Sequence, residues 1–305
     1  MIIEVPSSIS PLGISFGNIG ISIEAFRTVV KASLSDNVEI KFDVSMHKDD
    51  KSVISSILSN IWRSLSEGYN LKKKVRFSVK DYIPLHVGLG SLESIAIAFC
   101  YGLALANDIE LTDIELLMIA NDALTSKGRT WDHLMASYYG GIVWVNPNAE
   151  PPTLIKIDPP DWLELILLVP KQRQAKYLEK VMEHFERKFS YDEIYNLTSS
   201  LASLMQGLLN DDPASLKEGL RDNIFKNIIG KIPYYMELLT PIKHEEYIGV
   251  FISRFGPSIL LLLDETSADI DDIYKRLLNN ISQKGIPYMA VKTTIGGGLC
   301  TKHET

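Results

Sequence analysis

The segment Ile83 to Ser94, IPLHVGLGSLES, runs without interruption into Ser91 to Ala106, a stretch that is apolar on almost every side. A helix with that pattern has to be buried on all faces, so the rest of the fold must wrap it. Its first-turn N–H groups have no partner within the helix, and a buried N-terminus must find them one. Gly88 and Gly90, just ahead of it, let the backbone approach a ligand closely. The unpaired N–H groups and the positive end of the helix dipole then face an anion. Ser91 can add a hydroxyl, Glu93 or Ser94 can face a metal or a substrate, and His86 can donate to a diphosphate. An ordinary strand-to-helix turn, with His86 packed at a strand end, is the plainer alternative.

At 305 residues and 34.2 kDa the chain is about twice the usual domain length, which predicts two domains. Hydrophobic residues at 46% provide ample core. The 31 basic against 38 acidic residues leave a net charge of −7, and the longest basic run is Lys72-Lys73-Lys74. That argues against sequence-independent nucleic-acid binding, which needs a basic surface. Cys100 and Cys300 are too few for a disulfide framework or a cysteine zinc site. The N-terminus MIIEVPSS lacks a basic region followed by an apolar stretch, and no run reaches the ~18 apolar residues of a membrane span. The expectation is a soluble cytoplasmic protein acting on small molecules, with a homodimer permitted.

Alternation predicts strands at Ile2–Val5, Ile19–Ser33, Val38–Val44 and Lys74–Val79. Asp49–Ser66 carries Val53, Ile54, Ile57, Leu58, Ile61, Trp62 and Leu65 at helical spacing, one apolar face. A helix over Thr112–Ala123 opens with the capping pair Thr112 and Glu115, and a further helix spans 133–139. Gly140–Val145 reads as a strand leaving a double-glycine turn. Residues 146–160 hold five prolines in fifteen residues, and the domain junction is placed there, dividing 1–155 from 156–305. The second half predicts strands at Leu163–Val169, Tyr247–Ser253, Ile259–Leu263 and Tyr288–Thr293. Its helices fall near 174–188, 191–209, 213–228 and 270–283. That order suggests an α+β domain, an antiparallel sheet with helices on one face. The residues after Gly296-Gly297-Gly298 read as a flexible tail.

GLGS opening a helix resembles the phosphate loop of the GHMP kinase superfamily, which holds galacto-, homoserine, mevalonate and phosphomevalonate kinases. Val5 to Gly20, VPSSISPLGISFGNIG, is similar to the N-terminal motif of its homoserine kinases. TWDHLMASYYGG (Thr130 to Gly141) and FISRFGPSILLLL (Phe251 to Leu263) resemble its later motifs, in the right order. The resemblance implies an α+β, two-domain GHMP-kinase-like fold: an N-terminal α/β domain with the phosphate loop, a ferredoxin-like C-terminal domain, and a site between them.

The departures from that pattern bear on the reaction. Superfamily kinases read GLGSS, with the second serine helping to hold Mg²⁺; here that position is Leu92, which cannot ligate a hard cation. Pro11 and Gly17 stand where homoserine kinases carry a substrate-holding Asn and Asp, and His133 replaces an Asn. Several segments resemble a non-kinase branch instead, β-ribofuranosylaminobenzene 5′-phosphate synthase. These are HVGLGS, FGNIG, Arg27-Thr28-Val29-Val30, Pro151-Pro152, Asp161-Trp162, and Ser253 with the FGPS that ends at Ser258. That branch implies condensation of phosphoribosyl pyrophosphate with 4-aminobenzoate or 4-hydroxybenzoate, on the archaeal methanopterin route. Leu92-Glu93-Ser94 departs from its loop, and Asp132 is more kinase-like.

The leading expectation is therefore a phosphoribosyl-type transferase. His86, Gly88, Leu89, Gly90, Ser91, Ser94, Ser253, Arg254 and Gly256 would hold the phosphates, and Asp122 and Glu93 the Mg²⁺. Arg129, beside Lys127, would hold a carboxylate, with Asp132 and His133 catalytic. Each has a plainer alternative: Asp122 a solvated helix-end carboxylate, Asp132 a helix cap, His133 a core histidine, Arg129 a solvated loop charge. Trp131, Tyr138 and Tyr139 line an aromatic pocket or belong to the core. The rivals are an ATP-dependent small-molecule kinase with Asp132 as base, and a phosphate-ligand-binding homologue without chemistry.

Overall fold

The computed structural model describes residues 1–11, 18–124, 131–171, 190–220, 232, 234–254 and 256–302. The first part is a sheet covered by helices. Strands β1 (Ile2–Ile9), β2 (Ile19–Ser35) and β3 (Glu39–Phe42) precede helix α1 (Lys48–Gly68), which leads to β4 (Lys74–Asp81). Helices α2 (Ser91–Ala106), α3 (Asp113–Ala123) and α4 (Trp131–Tyr139) follow, then β5 (Ile142–Asn146) and β6 (Thr153–Ile157). The order is β11-β1-β2-β4-β3, with β5 on β2 and β6 on β5; among the described residues only β3 and β4 pair in parallel. Helix α1 turns Ile54, Ile57, Leu58, Ile61 and Leu65 inward, the stripe its spacing predicts. Helix α2 is buried nearly all round, among α1, α3, α4 and strands β1, β2 and β4. Its Phe99 packs on Phe77 of β4 with ring centroids 4.8 Å apart. The capping box of Thr112 and Glu115 is present, so α3 starts where the sequence says.

The second part is β7 (Leu163–Pro170), α5 (Tyr191–Leu209), α6 (Pro213–Gly219), α7 (Tyr235–Leu239), β8 (Gly249–Ile252), β9 (Ile259–Asp264), α8 (Ile270–Lys284) and β10 (Tyr288–Thr293). Its strands are antiparallel in the order β10-β7-β9-β8, the ferredoxin-like arrangement. The unbroken apolar run of β7 follows from burial on both faces. Leu165, Leu167 and Val169 point to a core shared with Ile9, Ile19, Ile21 and Ile23 of the first sheet and with Leu204, Leu208 and Leu216 of α5 and α6. Ile166 and Leu168 point the other way, to Ile273, Leu277 and Ile281 of α8. The expectation of helices on one face is thus corrected: both faces are covered, because the first sheet and α5–α6 supply a second apolar layer.

The proline-rich segment contains strand β6, which pairs with β5, and β7 of the second sheet starts at Leu163. One further expectation changes. The supposed tail holds β11 (Cys300–Lys302), paired antiparallel to β1 with Ile2 opposite Lys302, and Leu299 packs on the first core. The helix expected near 174–188 and the later part of 213–228 lie outside the described residues. Among the described residues no helix is long and apolar enough to cross a membrane.

Candidate active site

The HVGLGS loop lies where the two sheets meet, and both grip it. From the first sheet, the Ser8 N–H donates to the Leu89 carbonyl at 3.0 Å. From the β8–β9 turn, the Ser253 hydroxyl donates to the Gly88 carbonyl at 2.7 Å, and the Ser258 N–H to the Val87 carbonyl at 3.3 Å. Gly88 and Gly90 have φ of +82° and +68°, in the left-handed region that disfavours a side chain. A Cβ on Gly88 would lie 2.1 Å from Ser253 Oγ; one on Gly90 would lie 2.3 Å from Ser8 Oγ and 3.0 Å from His133 Nδ1. The glycines are therefore demanded by protein packing on both flanks, a different reason from the close ligand approach the sequence suggests.

Gly90 is the N-cap of α2 and offers no side-chain cap. The first-turn N–H groups, at the positive end of the helix, thus suit an anion such as a phosphate. Ser91 turns its hydroxyl to the Pro84 carbonyl at 2.7 Å, and Ser94 bonds the Ser91 carbonyl and Thr28 Oγ1, so both brace the loop. His86, with φ +63°, places Nε2 2.9 Å from Asp50 Oδ1 in the first turn of α1. That anchors the loop's entrance to a second helix.

Asp132 and His133 are buried on α4, under β1. The Asp132 carboxylate accepts from the Ser10 hydroxyl and from Arg254 Nη2, at 3.1 Å to Oδ1 and 3.0 Å to Oδ2. Helix α4 begins at Trp131, so Asp132 sits inside it, and the helix-cap alternative is corrected. The carboxylate has no exposed surface. His133 Nδ1 lies 2.9 Å from Ser8 Oγ, which also accepts from the Ser137 hydroxyl at 2.9 Å. Trp131 is in the core, while Tyr138 stacks edge-on with Tyr139 and donates its hydroxyl to Asp113 at 2.7 Å. Burial, with Asp113 beside it, pushes the Tyr138 phenol well above its ordinary range, so it stays protonated.

Of the proposed metal ligands, Glu93 stands half-buried in the first turn of α2 and Asp122 is exposed near the end of α3. Among the described residues no three His, Cys, Asp or Glu side chains cluster to hold a metal. A Mg²⁺ ion often keeps several waters and takes only one or two protein carboxylates, so the absence of such a cluster does not bear on Glu93 or Asp122. Arg129, Lys127, Gly17 and Phe255 lie outside the described residues. Ser8, Ser10, Asp50 and Ser137 carry no role in the sequence-based expectations, and Thr28 enters them only within a segment likeness. The signal for the first two was the serine run in VPSSISP, where alternation puts Ser8 and Ser10 on one side of the chain.

No family model matches the chain. It is 28% identical to a homoserine kinase of Sulfolobus acidocaldarius over 98% of both chains, and 26% identical to one of Thermoplasma volcanium over 91% of this chain and 87% of that one. Among solved structures, a homoserine kinase from Cytophaga hutchinsonii superimposes with a TM-score of 0.81 at 20% identity, covering 98% of this chain and 95% of the other. A mevalonate kinase of L. major in complex with R-mevalonate gives 0.73 at 13% identity, over 96% and 95%. These matches overturn the expected phosphoribosyl-type transferase: the sequence relatives named here, similar along most or all of the chain, are homoserine kinases, whereas the segments favouring the synthase were short and scattered. The chain has the two-sheet α+β fold of the GHMP kinase superfamily.

Proposed function

We propose that this chain is an ATP-dependent kinase that phosphorylates a hydroxyl of a small molecule, with homoserine the first acceptor to test. The observation that carries the reading is its similarity to homoserine kinases along 98% of both chains. The loop supports it: the uncapped start of α2 suits the phosphates of ATP, and Glu93 and Asp122 would share the Mg²⁺. Bound there, the cation would neutralise charge developing on the transferred group. Phosphoryl transfer through a loose transition state is served mainly by positioning and charge stabilisation. A sealed Asp132 is compatible with that, since little is asked of a base. Pro11 and Gly17, where homoserine kinases hold their substrate, make the acceptor the open part of the reading.

The test is ADP release from Mg·ATP by the purified chain, with L-homoserine and with a panel of other hydroxyl-bearing amino acids and hydroxy acids. Acceptor-dependent ADP release identifies the substrate. Lack of both ATP binding and ADP release across the panel would sink the kinase reading.

A further inference from the structure

We propose that Arg254 is a positioning residue, acting through Asp132 to bolt the second sheet onto the first and so hold the HVGLGS loop in shape. The sequence reading placed Arg254 against the phosphates, but the geometry directs its guanidinium elsewhere. Arg254 leads from β8 into the turn that touches the loop. Its backbone N–H donates to the Ser10 carbonyl at 2.9 Å, and its Nη2 reaches both oxygens of Asp132 on α4. Asp132 is fully buried and the Arg254 side chain is 18% exposed. A charge pair so shielded from water is screened little and resists separation.

What the bolt holds is the loop. Its two grips belong to different sheets: Ser8 bonds Leu89 and packs on Gly90, while Ser253 and Ser258 bond Gly88 and Val87. Gly256 lies so close that a Cβ there would fall 2.1 Å from the Val87 carbonyl carbon and 2.3 Å from Gly88 N. Any drift of the β8–β9 turn away from α4 therefore opens the grip on Val87 and Gly88 and moves the N–H groups that would meet the anion. Arg254 joins the two grips, one residue from Ser253 and through Asp132 one residue from His133. The clamp stands on these contacts alone; that its cargo is ATP rests on the kinase reading.

The test compares wild type with Arg254→Lys and with the double variant Asp132→Asn/Arg254→Met. The double variant removes both charges together, so no buried charge is left alone; the lysine variant keeps the ion pair without the planar donor. Hydrogen exchange is read without ligand at the Ser8 and Ser258 amides, whose acceptors are in the loop. They should exchange at least about tenfold faster in the double variant, with Arg254→Lys between, while α8 is unchanged. KM for ATP should rise at least about tenfold while kcat at saturating ATP stays within about threefold, as for loss of ground-state positioning. Wild-type protection at both amides overturns the bolt, whatever the kinetics. Failure of wild type to bind Mg·ATP overturns the kinase reading instead, and the exchange comparison still decides the bolt.

Discussion

The hydroxyl of Ser253, in the second sheet, donates to the carbonyl of Gly88, in a loop of the first, across 2.7 Å. The approach leaves no room for a side chain: the position a Gly88 Cβ would take is 2.1 Å from the same hydroxyl oxygen and 2.6 Å from the Gly256 nitrogen. The HVGLGS loop is thus shaped by its neighbour as much as by its own sequence.

Gly88→Ala should therefore be strongly destabilising and should abolish phosphate binding. A left-handed φ costs a side chain about 1–2 kcal/mol, and overpacking adds about 1–3 kcal/mol. Removing the Ser253 hydroxyl as well should not restore stability, because the Gly256 backbone nitrogen still blocks the methyl group. Urea unfolding of Gly88→Ala, Ser253→Ala and the double variant checks this; a double variant as stable as Ser253→Ala alone would refute it.

Removal of residues 299–305 tests the ending of the chain. It deletes strand β11, exposes one edge of β1, and breaks the Lys302–Glu4 pair at 2.6 Å. The exposed pair itself contributes little, so the loss comes mainly from the strand pairing and from Leu299 on the core. A fall in Tm of several degrees is expected, at about 2–4 °C per kcal/mol for chains of this size. An unchanged Tm would mean the strand contributes nothing to stability.

Much of this fold could be read along the chain, and the reason is local. Helix α2 announces itself by a run that is apolar on almost every side, and α3 and α5 by complete capping boxes at Thr112–Glu115 and Ser190–Glu193. The short strands β6 and β11 carried no such signal, since each is defined by its partner strand and not by its own pattern. At the site the loop was visible, because glycine before a buried helix has few uses. The roles of its neighbours were not. That Asp132 is bound to Arg254 and Ser10, each 122 residues away, depends on a crossing of sheets that no local spacing encodes. The short segment likenesses to the synthase misled for a related reason: a handful of loop residues weighs less than similarity spread over the whole chain.

The two thiols should differ sharply in reactivity. Burial pushes the Cys100 thiol up to about 12, and its Sγ faces the Leu116 carbonyl inside the core. Cys300 is only part-buried; burial raises its pKa, Arg27 opposes this, and Glu4 adds to it. The thiolate is the reactive form, so labelling of the native protein should be slow at pH 7 and quicken as pH rises past the ordinary thiol value near 8.5. One thiol per chain should react natively and two in denaturant, counted by mass spectrometry. Native labelling of Cys100 would show that α2 opens far more readily than its burial implies.

Leu92→Ser bears most directly on the chemistry. Leu92 is half-buried at the start of α2 and packs on the first core, so its loss should cost about 1–2 kcal/mol. The serine restores the superfamily's GLGSS pattern and puts an oxygen where a hard cation can use it. If the chain is a kinase, half-maximal ADP release should need less Mg²⁺ in Leu92→Ser than in wild type. Leu92→Ala, with the same packing loss and no oxygen, should show no such gain. The comparison separates metal binding from packing because both variants remove the same apolar side chain and only one adds a ligand. Equal Mg²⁺ dependence in the two variants would place the cation elsewhere, on Glu93 or Asp122 alone, and the loss of Glu93 would then be the variant that abolishes Mg²⁺-dependent turnover.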